Sequence, residues 1–164
     1  MKGTVNKVID AARDLAKELH SGQTDKAGKD YFTGHLCSVA MSGNDWKEIV
    51  TGYLHDAAED TQYSEEQVIK MLKERCCDQL NDNDAELIQE ALYLLNSNTA
   101  SSREEYISRL CQSKNETAKR VKLNDLNHNM DLTRIENPTE KDVQRMERYK
   151  KEYEMVVESM AKDI

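Results

Sequence analysis

Leu54-His55-Asp56-Ala57-Ala58-Glu59-Asp60 is the stretch on which the reading of this chain turns. It continues an apolar stripe at helical spacing made by Trp46, Ile49, Val50, Tyr53, Leu54 and Ala57. Placed on one helix, His55 and Asp56 lie about 100° apart, and Glu59 and Asp60 return one turn later. The four groups then fall within an arc of roughly 140°. The apolar setting predicts a largely buried helix. Buried carboxylates at this density need a cation or hydrogen-bond partners.

Candidate partners lie on both sides. His35 sits in Tyr31-Phe32-Thr33-Gly34-His35-Leu36, and Asp125 in Val121-Lys122-Leu123-Asn124-Asp125-Leu126-Asn127-His128-Asn129. Asp125, His128 and Asn129 are spaced three and four apart and share a helix face. His35, His55, Asp56 and Asp125 together would make a mixed nitrogen and oxygen site, suited to manganese, iron, zinc or magnesium. A cation there lowers the pKa of a bound water and polarises a phosphoryl oxygen, which is hydrolytic chemistry. Glu59 and Asp60, beside the ligands, are placed to orient water or shuttle protons. His20 falls at a helix end, where the expectation is a structural role capping carbonyls. His128 reads as a packed or hydrogen-bonded helix residue rather than a ligand.

Helical periodicity runs almost throughout the chain. The spacing predicts helices from Val5 to Leu19, stopped at Ser21-Gly22, then from Thr33 to Met41, and from Asp45 through the stretch above. Ser64-Glu65-Glu66-Gln67 and Ser102-Arg103-Glu104-Glu105 are capping-box patterns that open two more. Others cover Asp84 to Leu95 and Thr117 to Met130. Asn137-Pro138 predicts a start with proline at the first helical position, for a last helix ending near Met160. Tyr149, Tyr153, Val156 and Met160 are its expected packing stripe. The segment from Ser21 to Phe32, polar and carrying Gly22 and Gly28, reads as a loop. With no hairpin signal, repeat or linker, the expected architecture is one all-α domain over 1–164.

Composition narrows the function classes. Against 23 Lys and Arg stand 31 Asp and Glu, a net charge of −8. That disfavours an electrostatic nucleic-acid binder. No apolar run approaches the roughly 20 residues of a membrane span, and MKGTVNKVID lacks a signal-peptide core. Cys37, Cys76, Cys77 and Cys111 match no zinc spacing and read as reduced thiols of a cytoplasmic protein.

The motifs also carry a resemblance. His20-x-Gly22-Gln23, Lys26-Ala27-Gly28, Tyr31 with His35, His55-Asp56 with Glu59-Asp60-Thr61, and Val121-Lys122-Leu123-x-Asp125 with His128-Asn129 resemble the HD-domain phosphohydrolases. More narrowly, the order is similar to the hydrolase domain of Rel/SpoT-type alarmone enzymes and to the standalone small alarmone hydrolases. Glu105-Tyr106-Ile107-x-Arg109 and Asp131-Leu132-Thr133-Arg134 fit the standalone bacterial members. The likeness covers 7–149.

The resemblance implies an all-α bundle around one divalent metal, usually manganese, held by His35, His55, Asp56 and Asp125. It implies Glu59 and Asp60 as the catalytic acidic pair, Asn129 as a contact to the nucleotide's sugar, and Lys26 as a contact from the first loop. The implied reaction removes the 3′-pyrophosphate of (p)ppGpp, giving GDP or GTP and pyrophosphate. Because the chain is acidic, Lys26, Lys29, Lys122 and Arg134 are expected to form a local positive patch with the metal.

Three positions depart from the pattern. Asp25 stands where the long enzymes carry an arginine that packs on guanine, and an aspartate there is expected to repel phosphate. Asp30 and Leu36 replace prolines on either side of the Tyr31 to His35 segment, which should alter loop stiffness. The substrate alternatives are therefore an adenosine alarmone, a dinucleotide phosphate or a nucleotide monophosphate. The alternative outside enzymes is a catalytically silent nucleotide-binding module.

Overall fold

The computed structural model describes residues 2–161, and the outermost ends of the expected 1–164 domain lie outside them. Helix α1 (Lys2–Leu19) buries Val8, Ala11, Ala12, Leu15 and Ala16 along one face. It ends at a turn through Gly22, whose φ of +84° favours glycine. The loop that follows is tighter than its composition suggests. Asp25 Oδ1 accepts from the backbone N–H groups of Ala27 and Lys29, at 2.8 and 3.0 Å. An isolated bridge joins Thr24 and Asp30.

The next helical segment opens with a π-helical turn (Phe32–Leu36) that runs into α2 (Cys37–Met41). Asp30 Oδ2 accepts from the backbone and hydroxyl of Thr33, so this aspartate caps the segment in place of a proline. Leu36 is fully buried in the core.

Asp45 starts α3 (Trp46–Leu54) by accepting from Glu48 N. The single helix expected through Asp60 is not what forms. The chain turns at His55 and Asp56, with Asp56 at φ −101° and ψ 0°, and a short α4 (Ala57–Asp60) follows. The 140° arc therefore does not describe the site, because backbone geometry changes in the middle of it.

Both bonds of the Ser64–Gln67 capping box form at the start of α5 (Glu65–Arg75). Asn81 caps α6 (Asp82–Leu95), and a 3₁₀ turn (Ser97–Thr99) leads on to α7 (Arg103–Gln112). The second capping box is only half made. Ser102 accepts from Glu105 N, but the Glu105 carboxylate turns to Ser101. Helix α8 (Glu116–Met130) is followed by a 3₁₀ turn (Leu132–Arg134) and α9 (Glu140–Ala161). The last helix does not start at Pro138. Asn137 has a φ of +56°, and Thr139 and Asp142 exchange capping bonds two residues later. Tyr149, Glu152 and Val156 form the buried line of α9, with Tyr153 and Met160 partly covered beside it.

The described residues contain no strand, and none of their helices is long and apolar enough to cross a membrane. Helix α3 is central, packed against α1, α2, α6 and α8. Its approach to α2 depends on Gly52, where an added Cβ would lie 2.8 Å from Ala40 Cα. One apolar core joins α1, the π turn, α2, α3, α5 and α6. A second joins α6, α7, α8 and α9. The C-terminal end of α3 and the middle of α8 meet between them, and the ionisable residues converge there.

Candidate metal centre

Each side chain reaches this junction from a different element. His35 comes from the π turn, His55 and Asp56 from the turn between α3 and α4, and Asp125 from α8. All four are buried. His35, His55 and Asp125 each offer a donor atom, and the three atoms lie within 4.8 Å of one another, close enough to hold one ion. His35 Nε2 is 3.0 Å from Asp125 Oδ1, and His55 Nε2 is 3.5 Å from the same oxygen. Asp56 borders the group, its Oδ2 lying 3.1 Å from His55 Nε2 and 3.5 Å from His35 Nε2.

The hydrogen bonds of His55 decide what this arrangement needs. Its Nδ1 is 2.6 Å from the carbonyl of Gly52. A carbonyl only accepts, so Nδ1 carries the proton. His55 Nε2 is buried with no hydrogen-bond partner and faces two carboxylates. The titration behaviour expresses the same demand for positive charge. Burial opposes a charged His55, but Asp56 and Asp125 outweigh it and its pKa lies well above the ordinary value. Burial likewise pushes Asp56 up, and His55 and His35 hold it far below the carboxylate range. A divalent cation supplies that charge in one atom, and the two-imidazole, carboxylate donor set fits manganese, iron or zinc.

The surrounding side chains bond to these residues. Tyr31 donates its hydroxyl to Asp56 Oδ2 at 2.5 Å. Asn129 donates to Asp125 Oδ1 at 3.0 Å, and Lys122 to Asp125 Oδ2 at 2.9 Å. Burial lowers the Lys122 pKa, yet Asp125 more than restores it, so the ammonium stays charged. His128 is bonded, as expected, and its partner is His35, with the two Nδ1 atoms 2.7 Å apart. His20 caps no carbonyl. Its buried ring bonds Gln23 Oε1 through Nδ1 and lies against Tyr31.

A cavity of about 220 Å³ opens from these residues. Glu59, Lys26, Lys122, Asn129 and Arg134 line it, together with Tyr31, Arg103, Tyr106 and Tyr149, which the sequence did not mark as site residues. Glu59 is fixed because its Oε1 accepts from both the backbone and the hydroxyl of Ser97. Asp60 is not among the lining residues and is exposed at the end of α4. Desolvation, then the Asp56 and Glu59 carboxylates, push its pKa up to about 7, a value suited to proton transfer near neutrality.

Three of the expected anion contacts, Lys122, Arg134 and Lys26, have other partners. Lys122 is taken by Asp125. Arg134 donates to Asp25 Oδ2 at 3.0 Å and to the His128 carbonyl at 2.7 Å. Both Asp25 oxygens are engaged, and Arg134 lies against its charge. Lys26 donates to the Tyr149 hydroxyl at 2.9 Å. Arg103 pairs with Glu152 through Nε and Nη2, at 2.8 and 2.9 Å. The Arg103 signal lay inside a capping box, which hid it as a helix-start residue. Cys37 is half-buried and lies outside the cavity.

No protein-family model matches the chain, and no curated protein matches it.

Proposed function

We propose that the chain is an HD-domain metal-dependent phosphohydrolase acting on a nucleotide, with removal of the 3′-pyrophosphate of (p)ppGpp as its reaction. One observation carries this reading. The unpartnered His55 Nε2 meets His35, Asp56 and Asp125 at the floor of a cavity whose walls carry Lys26, Arg103 and Arg134.

His35, His55, Asp56 and Asp125 would hold the cation. Manganese is the expected ion, with iron, zinc and magnesium as alternatives. When bound, the cation supplies a more acidic water and a Lewis-acid contact to phosphoryl oxygen. The chain's own residues do the rest. Glu59, fixed by Ser97, takes the proton of the attacking water, and Asp60 exchanges protons with solvent at the rim. A bond forms between the water oxygen and the 3′-phosphorus while the bond to the 3′-oxygen breaks. That oxygen takes up the proton held by Glu59 and leaves as the sugar hydroxyl, and pyrophosphate is released. Lys26 and Arg103 balance the phosphate charge, Arg134 adds to it from its pair with Asp25, and Asn129 faces the sugar.

A second reading keeps this chemistry and changes the nucleotide to an adenosine alarmone, a dinucleotide phosphate or a nucleotide monophosphate. The position of Asp25 favours it. That side chain serves the loop and Arg134, so it offers no planar cation on which guanine could stack.

The test is hydrolysis of guanosine tetraphosphate by metal-stripped protein with manganese added back. Manganese-dependent release of both GDP and pyrophosphate is expected. Bound manganese without release would overturn the guanosine assignment and move the test to the other nucleotides. No release from any of them would leave the silent binding module.

A further inference from the structure

His128 stands outside the four proposed ligands, yet its ring is tied to one of them. Its Nδ1 lies 2.7 Å from Nδ1 of His35, with ring centroids 4.9 Å apart. Two ring nitrogens at that distance share one proton, so one donates and the other accepts. The opposite side of His35 determines which. Its Nε2 faces Asp125 Oδ1 at 3.0 Å and Asp56 Oδ2 at 3.5 Å. A carboxylate only accepts, so as it stands Nε2 carries a proton; an imidazole binds a cation through Nε2 only when that nitrogen is bare, so cation binding places the proton on Nδ1. His35 then donates to His128, which accepts at Nδ1 and keeps its own proton on Nε2.

We infer that His128 is a positioning residue, holding His35 in the tautomer and ring orientation that present Nε2 to a divalent cation. The inference rests on the metal-centre reading above. His55 meets the same requirement with the Gly52 carbonyl of its own helix. His35 meets it with a side chain from α8, three residues beyond Asp125. One helix therefore places both a carboxylate ligand and the group that orients an imidazole. Arg134 holds this end of α8 by donating to the His128 carbonyl. Without a cation the pair can run the other way, with His128 donating and His35 Nε2–H bonded to Asp125. Cation binding requires the proton to move to Nδ1 of His35, and only an acceptor at position 128 allows it.

The test measures manganese affinity of the full chain by titration for wild type, His128→Asn and His128→Leu. The asparagine Oδ1 is bonded to Cγ, as Nδ1 is in histidine, and it accepts. His128→Leu is expected to bind manganese 10–100-fold more weakly, with His128→Asn within about fivefold of wild type. Wild-type affinity in His128→Leu would overturn the inference, as would equal losses in both variants, which would assign the effect to packing. A wild type that binds no manganese would overturn the metal-centre reading and this inference together. Long-range ¹H–¹⁵N spectra of the zinc-loaded wild type need no variant. They are expected to show protons on His35 Nδ1 and His128 Nε2, and a proton on His128 Nδ1 would overturn the assignment.

Discussion

Asp25 Oδ2 lies 3.0 Å from Arg134 Nη2, joining the first loop to the turn after α8 across 109 positions of sequence. Its other oxygen organises the loop through two backbone N–H groups. The same carboxylate explains Gly34, where an added Cβ would sit 2.6 Å from Asp25 Oδ2. An acid at this position thus fastens two cavity walls together.

Replacing that charge should loosen both walls. Asp25→Asn is expected to lose about 1.5–3 kcal/mol of stability at neutral pH. Burial pushes Asp25 up, but the backbone bonds from Lys29 and Ala27 and the Arg134 pair bring its pKa below the ordinary value. A depressed folded pKa contributes stability above the unfolded pKa and loses it as pH falls through the folded one. The gap between wild type and Asp25→Asn in urea midpoint should therefore narrow below about pH 4. A gap that widens on acidification contradicts this account.

Gly52 sets the approach of α3 to α2, and with it the meeting of His55 and His35. A methyl group there would lie 2.8 Å from Ala40 Cα and 3.0 Å from Ala40 N, both backbone atoms that cannot swing aside. Gly52→Ala is expected to cost about 1–3 kcal/mol by overpacking. It should also weaken manganese binding, because the π turn leading into α2 and the turn that ends α3 carry separate ligands. Unchanged affinity in a destabilised variant would mean that the site tolerates the shift.

The acidic residues should separate by function. Asp56→Ala is expected to lose the cation. Glu59→Gln keeps the oxygen that accepts from Ser97, so it should fold, retain the cation and lose turnover by about 10²-fold or more. Calorimetric metal titration and steady-state rates measure the two effects independently. Wild-type turnover in Glu59→Gln would remove Glu59 from the proton-transfer role.

The elements most legible in the sequence are those set by local chemistry. Ser64 and Gln67 exchange both capping bonds, and Asp45 caps α3, because these contacts span only three residues. The convergence of His35, His55, Asp56 and Asp125 was also legible, since buried charge needs partners whatever the backbone does. The turn at Asp56 was not, because the apolar stripe continues through Ala57 with helical spacing while the backbone leaves the helix. Arg103, Tyr106 and Tyr149 were hidden for another reason. Their place on the cavity depends on how α7 and α9 pack, and no local spacing encodes that. The pairing of Asp25 with Arg134 was not legible, because the two are remote in sequence.

Lys122 gives a prediction that separates structural charge from substrate charge. Its ammonium is buried, 2.9 Å from Asp125 Oδ2 and over the face of Tyr106 at 5.1 Å. Lys122→Met keeps most of the volume and leaves Asp125 without its strongest positive neighbour. In metal-free protein the loss should be about 3–5 kcal/mol, the cost of breaking a buried pair. A divalent cation beside Asp125 would replace the missing charge, and it would no longer be repelled by an ammonium across the same carboxylate. Manganese should therefore bind the variant more tightly and raise its Tm by more than it raises that of wild type. A thermal shift series in manganese measures both slopes. Equal shifts would show that Lys122 and the cation are not linked through Asp125, and would return Lys122 to the role of a phosphate contact.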